Sequence, residues 1–67
     1  MGIYEVYWYP RIPGDCEKHN TYVYAKNAND AMNNKYFKRV DVAYCERVTG
    51  QMEEDARKYG WCVNKES

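Results

Sequence analysis

Residues 3–9 alternate in two sets. Tyr4, Val6 and Trp8 fall on one side of an extended chain, and Ile3, Glu5, Tyr7 and Tyr9 on the other. Tyr, Val and Trp favour a pleated strand, so the segment is predicted as strand one. Pro10, Pro13 and Gly14 stop it. Pro13-Gly14-Asp15 has the make-up of a turn, with Pro presetting φ and Gly supplying a positive φ. Residues 21–25 resume the β-branched and aromatic pattern as strand two, which makes a hairpin with a loop over residues 10–20. That loop is long for a hairpin, and long loops in small domains often carry function.

The period then changes. Asn27 is placed to cap a helix, with Asp30 three residues on as in a capping box. Ala28, Ala31, Met32 and Tyr36 form its apolar stripe, and Lys38 and Arg39 complement its dipole in the last turn. Residues 40–48 read as strand three. Thr49 is placed to cap a second, short helix with acidic Glu53, Glu54 and Asp55 early and basic Arg57 and Lys58 late. Met52, Ala56 and Tyr59 make its stripe, and Gly60 suits the left-handed position that ends it. Residues 61–63 are expected as a short fourth strand at an edge, or as no strand at all, and residues 64–67 as a frayed tail.

This order predicts a single α+β domain over residues 1–63, arranged β-β-α-β-α with or without a last short β. Strand one, the most apolar on both sides, belongs between strands two and three and antiparallel to both. The connection from strand two through the first helix to strand three is expected to be right-handed, with that helix on one face of the sheet.

The faces follow from charge. Glu5 would be costly under a helix, so Tyr4, Val6 and Trp8 face the core. Val23 and Ala25 join them from strand two, leaving Tyr22 and Tyr24 on the far side. In strand three, simple alternation sends Val42, Tyr44 and Val48 inward with Glu46 at the rim, and Ala43, Cys45 and Arg47 outward. The open face is therefore expected to carry Tyr7, Tyr9, Tyr22, Tyr24, Glu5 and Arg47. The binding candidates are Tyr7, Tyr9, Tyr22, Tyr24 and Arg47. Against that stands a plainer reading, in which the second helix or the loop covers these rings, or cross-strand tyrosine pairs only stabilise the hairpin.

Composition narrows the functions. At 67 residues every large apolar side chain matters to the fold, because so short a chain buries a modest share of its surface. Ten basic and ten acidic residues cancel, which disfavours a general phosphate-backbone binder and a polybasic membrane anchor. No apolar run approaches the ~18 residues of a membrane span. The N-terminal residues have neither a signal-peptide pattern nor, with Val6 at the critical position, a myristoylation pattern. Three cysteines, Cys16, Cys45 and Cys62, without a secretory signal suggest reduced thiols and a cytoplasmic location. Eight tyrosines and two tryptophans against one phenylalanine suit a half-wet contact surface.

Chemistry-bearing patterns are few. Cys16 and His19 form C-x-x-H, and Cys45 and Cys62 could complete a zinc site only from a distance, in a spacing unlike the paired motifs of structural zinc. Neither a metal nor another cofactor is expected. His19 has no nameable catalytic partner, and a Cys16–His19 pair in one loop lacks an orienting third group. The chain contains no phosphate-binding loop, nucleophile elbow or HExxH motif, so a self-contained enzyme is not expected.

Residues 22–48, YVYAKNANDAMNNKYFKRVDVAYCERV, pair a strand ending in Ala25-Lys26-Asn27-Ala28 with a helix opening on Asp30-Ala31 and a strand ending in Glu46-Arg47-Val48. This resembles the small uncharacterised β-β-α-β proteins encoded by phages, conjugative elements and gut Firmicutes. The resemblance covers about half the chain, is one of fold pattern, and carries no catalytic residues over. It implies a protein that binds a host or element protein stoichiometrically, as an accessory or anti-defence factor. The expectation is thus a non-catalytic protein-interaction module, with a single-stranded nucleic-acid binder stacking bases on the tyrosines as the alternative.

Overall fold

β1, Gly2–Pro10, is buried from both sides at its N-terminal half, and the rest of the chain is arranged around it. In the computed structural model, which describes residues 1–65, Ile3 and Val6 are completely shielded although they point to opposite faces. A side chain of that kind contributes roughly 1.5–3 kcal/mol when fully buried. β2, His19–Ala25, and β3, Val40–Val48, flank β1 and pair antiparallel with it, giving a three-stranded sheet of order β2-β1-β3. The expected α+β class and central first strand are therefore the observed ones.

One face is sealed by α1, Ala28–Met32, and the 3-10 turn Lys35–Phe37 that follows it. Ala31 and Phe37 pack on Tyr4, Val6, Val23 and Ala25, with Trp8, Val40, Val42 and Cys45 at the margin. Asn27 caps α1 through its side chain, accepting from Asp30 N at 2.8 Å. The Asp30 carboxylate reaches back to Lys26 N at 3.1 Å, one residue earlier than in a standard capping box. The expected longer helix is interrupted: Asn34 caps a new turn by accepting from Tyr36 N at 2.9 Å. Asn side chains compete well for local backbone donors, which favours such breaks. The break rotates the chain so that Phe37 is buried at 4% exposure and Tyr36 is 53% exposed. Tyr36 is thus outside the core, and Lys38 and Arg39 lie beyond α1, with Lys38 capping the 3-10 turn instead.

The other face is covered at one end only. α2, Gly50–Tyr59, lays Ala56 on Ile3 and Val48, with Tyr22, Tyr24 and Cys62 alongside. Of its expected stripe only Ala56 is buried; Met52 and Tyr59 are exposed. Thr49 makes no side-chain cap, whereas Gly60 takes the left-handed conformation at φ 66° and ends the helix. Beyond it the expected fourth strand amounts to one parallel bridge between Cys62 and Tyr22, with Val63 N donating to Tyr22 O at 3.0 Å. Asn64 is held rather than frayed: its amide donates to Tyr24 O at 2.9 Å and accepts from Tyr24 N at 2.8 Å. Residues 66 and 67 of the expected tail lie outside the described residues. Among the described residues, no helix is long and apolar enough to cross a membrane.

The decisive departure from simple alternation is in β3. Tyr7 lies opposite Tyr44, but Trp8 lies opposite Val42, so Ala43 is an extra residue between them. Such a bulge reverses side-chain parity beyond it. Val42 and Cys45 both join the α1 face, and Tyr44, Glu46 and Val48 turn to the opposite face. Arg47 moves the other way: it stands opposite Tyr4, with its guanidinium carbon 5.6 Å from the Tyr4 ring centroid. It does not lie on the tyrosine face. Gly2 leaves room for it, since a Cβ there would come within 2.5 Å of that guanidinium carbon.

The buried Phe37 and exposed Tyr36 separate the observed turn from a continuous helix. Phe37→Ala is expected to cost about 3–5 kcal/mol, as large core truncations do, and Tyr36→Ala no more than about 0.5 kcal/mol. Urea unfolding of both variants checks this, and equal losses would contradict it.

Candidate functional site

Past the end of α2 the sheet face is open, and its side chains can be followed row by row from the register. Tyr24, Ile3 and Val48 form the row beneath α2. Next come Tyr22, Glu5 and Glu46, then Asn20, Tyr7 and Tyr44, and finally Tyr9 opposite Asp41.

The four sequence-predicted tyrosines thus separate. Tyr22 and Tyr24 are half-buried beneath the C-terminal part of the chain. Trp61 tilts against Tyr22 with ring centroids 5.2 Å apart, and the Arg57 guanidinium carbon lies 5.4 Å from the Tyr24 centroid. Tyr7 and Tyr9 remain on the open half, Tyr9 exposed and Tyr7 half-buried. Two residues that alternation missed join them. Tyr44 stacks on Tyr7 with centroids 4.6 Å apart and planes at 23°. Lys18, at the end of the loop over residues 11–18, brings its ammonium to 4.9 Å from the Tyr7 centroid and 5.3 Å from that of Tyr44. It also donates to the Tyr44 hydroxyl at 3.1 Å, which holds the ammonium above its usual pKa.

The loop that delivers Lys18 is ordered by short-range bonds. Gly14 adopts φ 90°, Asp15 N donates to Ile12 O at 3.1 Å, and Asp15 Oδ1 accepts from Glu17 N at 3.0 Å. At the far rim Arg11 pairs with Asp41 at 2.8 Å.

Glu5 is the electrostatic centre of the open face. It lies opposite Glu46, and like charges directly opposed on a sheet are unfavourable. Neighbouring donors offset this. Asn20 Nδ2 donates to Glu5 Oε2 at 2.5 Å, and the phenols of Tyr7 and Tyr22 hydrogen-bond to the same side chain. A phenol that donates to a carboxylate is stabilised in its neutral form. Tyr7 is consequently pushed up to about 12, first by that hydrogen bond, then by desolvation and the charges of Glu5 and Glu46. Tyr22 is raised mainly by desolvation, with Glu5 adding to it.

The thiols and the histidine do not converge. Cys45 points to the α1 side, its Sγ 3.6 Å from Ala28 O, and partial burial pushes its thiol up. Cys62 lies beside Tyr22 on the opposite side, and Cys16 is exposed in the loop. His19 stacks on Trp8 at 4.8 Å and 19°, with Nε2 3.5 Å from Asp15 Oδ2. Trp8 in turn donates to Thr21 Oγ1 at 2.9 Å. These groups are divided between the α1 face, the loop and the α2 side of the sheet. Among the described residues no cluster of His, Cys, Asp and Glu is arranged to hold a metal ion.

Comparison with protein-family models, with curated proteins and with solved structures finds no match to this chain. The functional reading therefore rests on the surface itself.

The Tyr7 shift has a direct consequence for pH. An unfolded phenol titrates near ~10. The folded value is higher, so the Tyr7–Glu5 contribution to stability is complete below ~10 and is lost as pH rises through about 12. Phenolate absorbance during alkaline titration is expected to lose its latest-titrating component in Tyr7→Phe, and Glu5→Gln is expected to move that component down. Removal of a component titrating at the ordinary phenol value would contradict the assignment.

Proposed function

We propose that this chain is a non-catalytic protein-binding module whose contact surface is the open half of the sheet: Tyr7, Tyr44 and Tyr9, with Lys18 at the loop edge and Glu5 and Glu46 at the border of α2. The observation that carries this reading is the stacked, partly exposed Tyr7–Tyr44 pair on neighbouring paired strands. Tyrosine gives a large contact area at little entropic cost and is enriched at the energetic centres of protein interfaces.

The alternative, base stacking by a single-stranded nucleic acid, uses the same rings. The face disfavours it. Glu5 and Glu46 flank the rings, Asp41 offsets Arg11, and Lys18 is the one cation lying over the pair among the described residues. A phosphate backbone would meet carboxylates there, with no basic groove to follow. Stoichiometric capture of a host or element protein, as the β-β-α-β resemblance implies, would use this same surface in an accessory or anti-defence role.

The test uses the immobilised intact chain with nuclease-treated extract of the source cell, and in parallel a labelled oligothymidine. Tyr44→Ser, at an exposed site, is expected to weaken partner capture by about 30-fold, the loss of one interface hot spot of ~2 kcal/mol. Tyr36→Ser, on the far side of the sheet, is expected to leave capture unchanged. Capture that ignores Tyr44, or tight oligothymidine binding that falls steeply with salt, would overturn the reading.

A further inference from the structure

We propose that the Tyr7–Tyr44 pair, bordered by Glu5 and Glu46, is a receptor for a lysine or arginine side chain of the partner protein, and that Lys18 occupies it as an internal stand-in. The inference rests on the protein-binding reading and names the chemistry that the surface selects.

Lys18 shows what the surface accepts. Its ammonium lies within reach of both ring centroids, at 4.9 and 5.3 Å, and gives one hydrogen bond to the Tyr44 hydroxyl at 3.1 Å. Tyrosine rings attract cations through their negative faces. The flanking carboxylates strengthen that preference. Glu5 and Glu46 are direct cross-strand neighbours, a pairing that disfavours the sheet by itself and favours a cation brought close to it. Glu46 already contributes to holding Lys18 charged.

Lys18 is also a replaceable occupant. It is exposed, as are its neighbours Cys16 and Glu17, and it belongs to neither apolar cluster. The turn at Ile12–Asp15 and the Asp15–Glu17 bond are made upstream of it, so the loop keeps its local bonds when the Lys18 side chain swings away. An incoming basic side chain would then exchange one cation for another. An exchange of this kind lowers the apparent affinity for the incoming group, and removing the internal competitor raises it.

The test is a titration of the isotope-labelled full chain, followed by backbone and tyrosine-ring resonances. The probes are a capped Ser-Gly-Lys-Gly-Ser peptide, its norleucine counterpart and an oligothymidine. The lysine peptide is expected to shift Tyr7, Tyr44 and Glu46, and the norleucine peptide to leave them in place. Lys18→Ala and Lys18→Gln are both expected to tighten the lysine peptide by ~2- to 5-fold, the factor of one exposed cation–π contact. Tyr44→Leu in either background is expected to abolish the shifts. Resonances of the α1 face report that each variant is folded. Equal response to the lysine and norleucine peptides, or no gain in both Lys18 variants, would overturn the proposal. If that happens while partner capture still depends on Tyr44, the protein-binding reading stands. If the oligothymidine moves the same resonances, both readings fall.

Discussion

Everything in this fold is built against a strand that must be covered twice. β1 turns Tyr4 and Val6 to one face and Ile3 to the other, and neither apolar set can be left in water by so short a chain. Two covering elements are therefore needed. α1 with its 3-10 turn supplies Ala31 and Phe37 on one side, and α2 supplies Ala56 on the other. The second cover is small. It seals the Ile3 end and leaves the Tyr7–Tyr9 end of the same strand uncovered, and the molecule remains elongated at 36 × 19 × 17 Å. The open half-face is thus a by-product of how little apolar surface β1 exposes on that side beyond Ile3.

What stands on the open half is decided by one inserted residue. Without Ala43 as a bulge, Tyr44 would point under α1 and Arg47 would border the tyrosines. With it, Tyr44 stacks on Tyr7, Cys45 joins the core, and Arg47 crosses to Tyr4. The exchange removes a cation from the open face and adds an aromatic ring and, through Glu46, a carboxylate. The change in electrostatic character follows. A face with Arg47 and scattered tyrosines would have suited anions; the observed one places Lys18 over a ring pair beside two carboxylates.

Much of the architecture was legible in the pattern of residues. The two-sided apolar character of β1 placed it centrally, Asn27 and Gly60 marked helix ends, and Glu5 marked the face opposite α1, of which α2 covers one end. Local competition hid the rest. Asn33-Asn34 could cap a new turn as well as continue a helix, and only the packing of Phe37 on the sheet decides between them. In β3, alternation put Glu46 on the core side with Val42 and Tyr44. That conflict was the available signal of a bulge: a carboxylate on the buried side is costly, and one extra residue at small Ala43 removes the cost. Lys18 could not be placed from sequence, because its position depends on the path of a loop fixed by the bonds of Asp15.

The bulge at Ala43 brings Tyr44 onto Tyr7, and proton–proton Overhauser contacts among the aromatic rings report that placement. With centroids 4.6 Å apart, the Tyr44 ring should show strong cross-peaks to Tyr7 and none to Phe37 or Val6. Cross-peaks from Tyr44 to Phe37 and Val6, with none to Tyr7, would place Tyr44 under α1 and rule out the bulge.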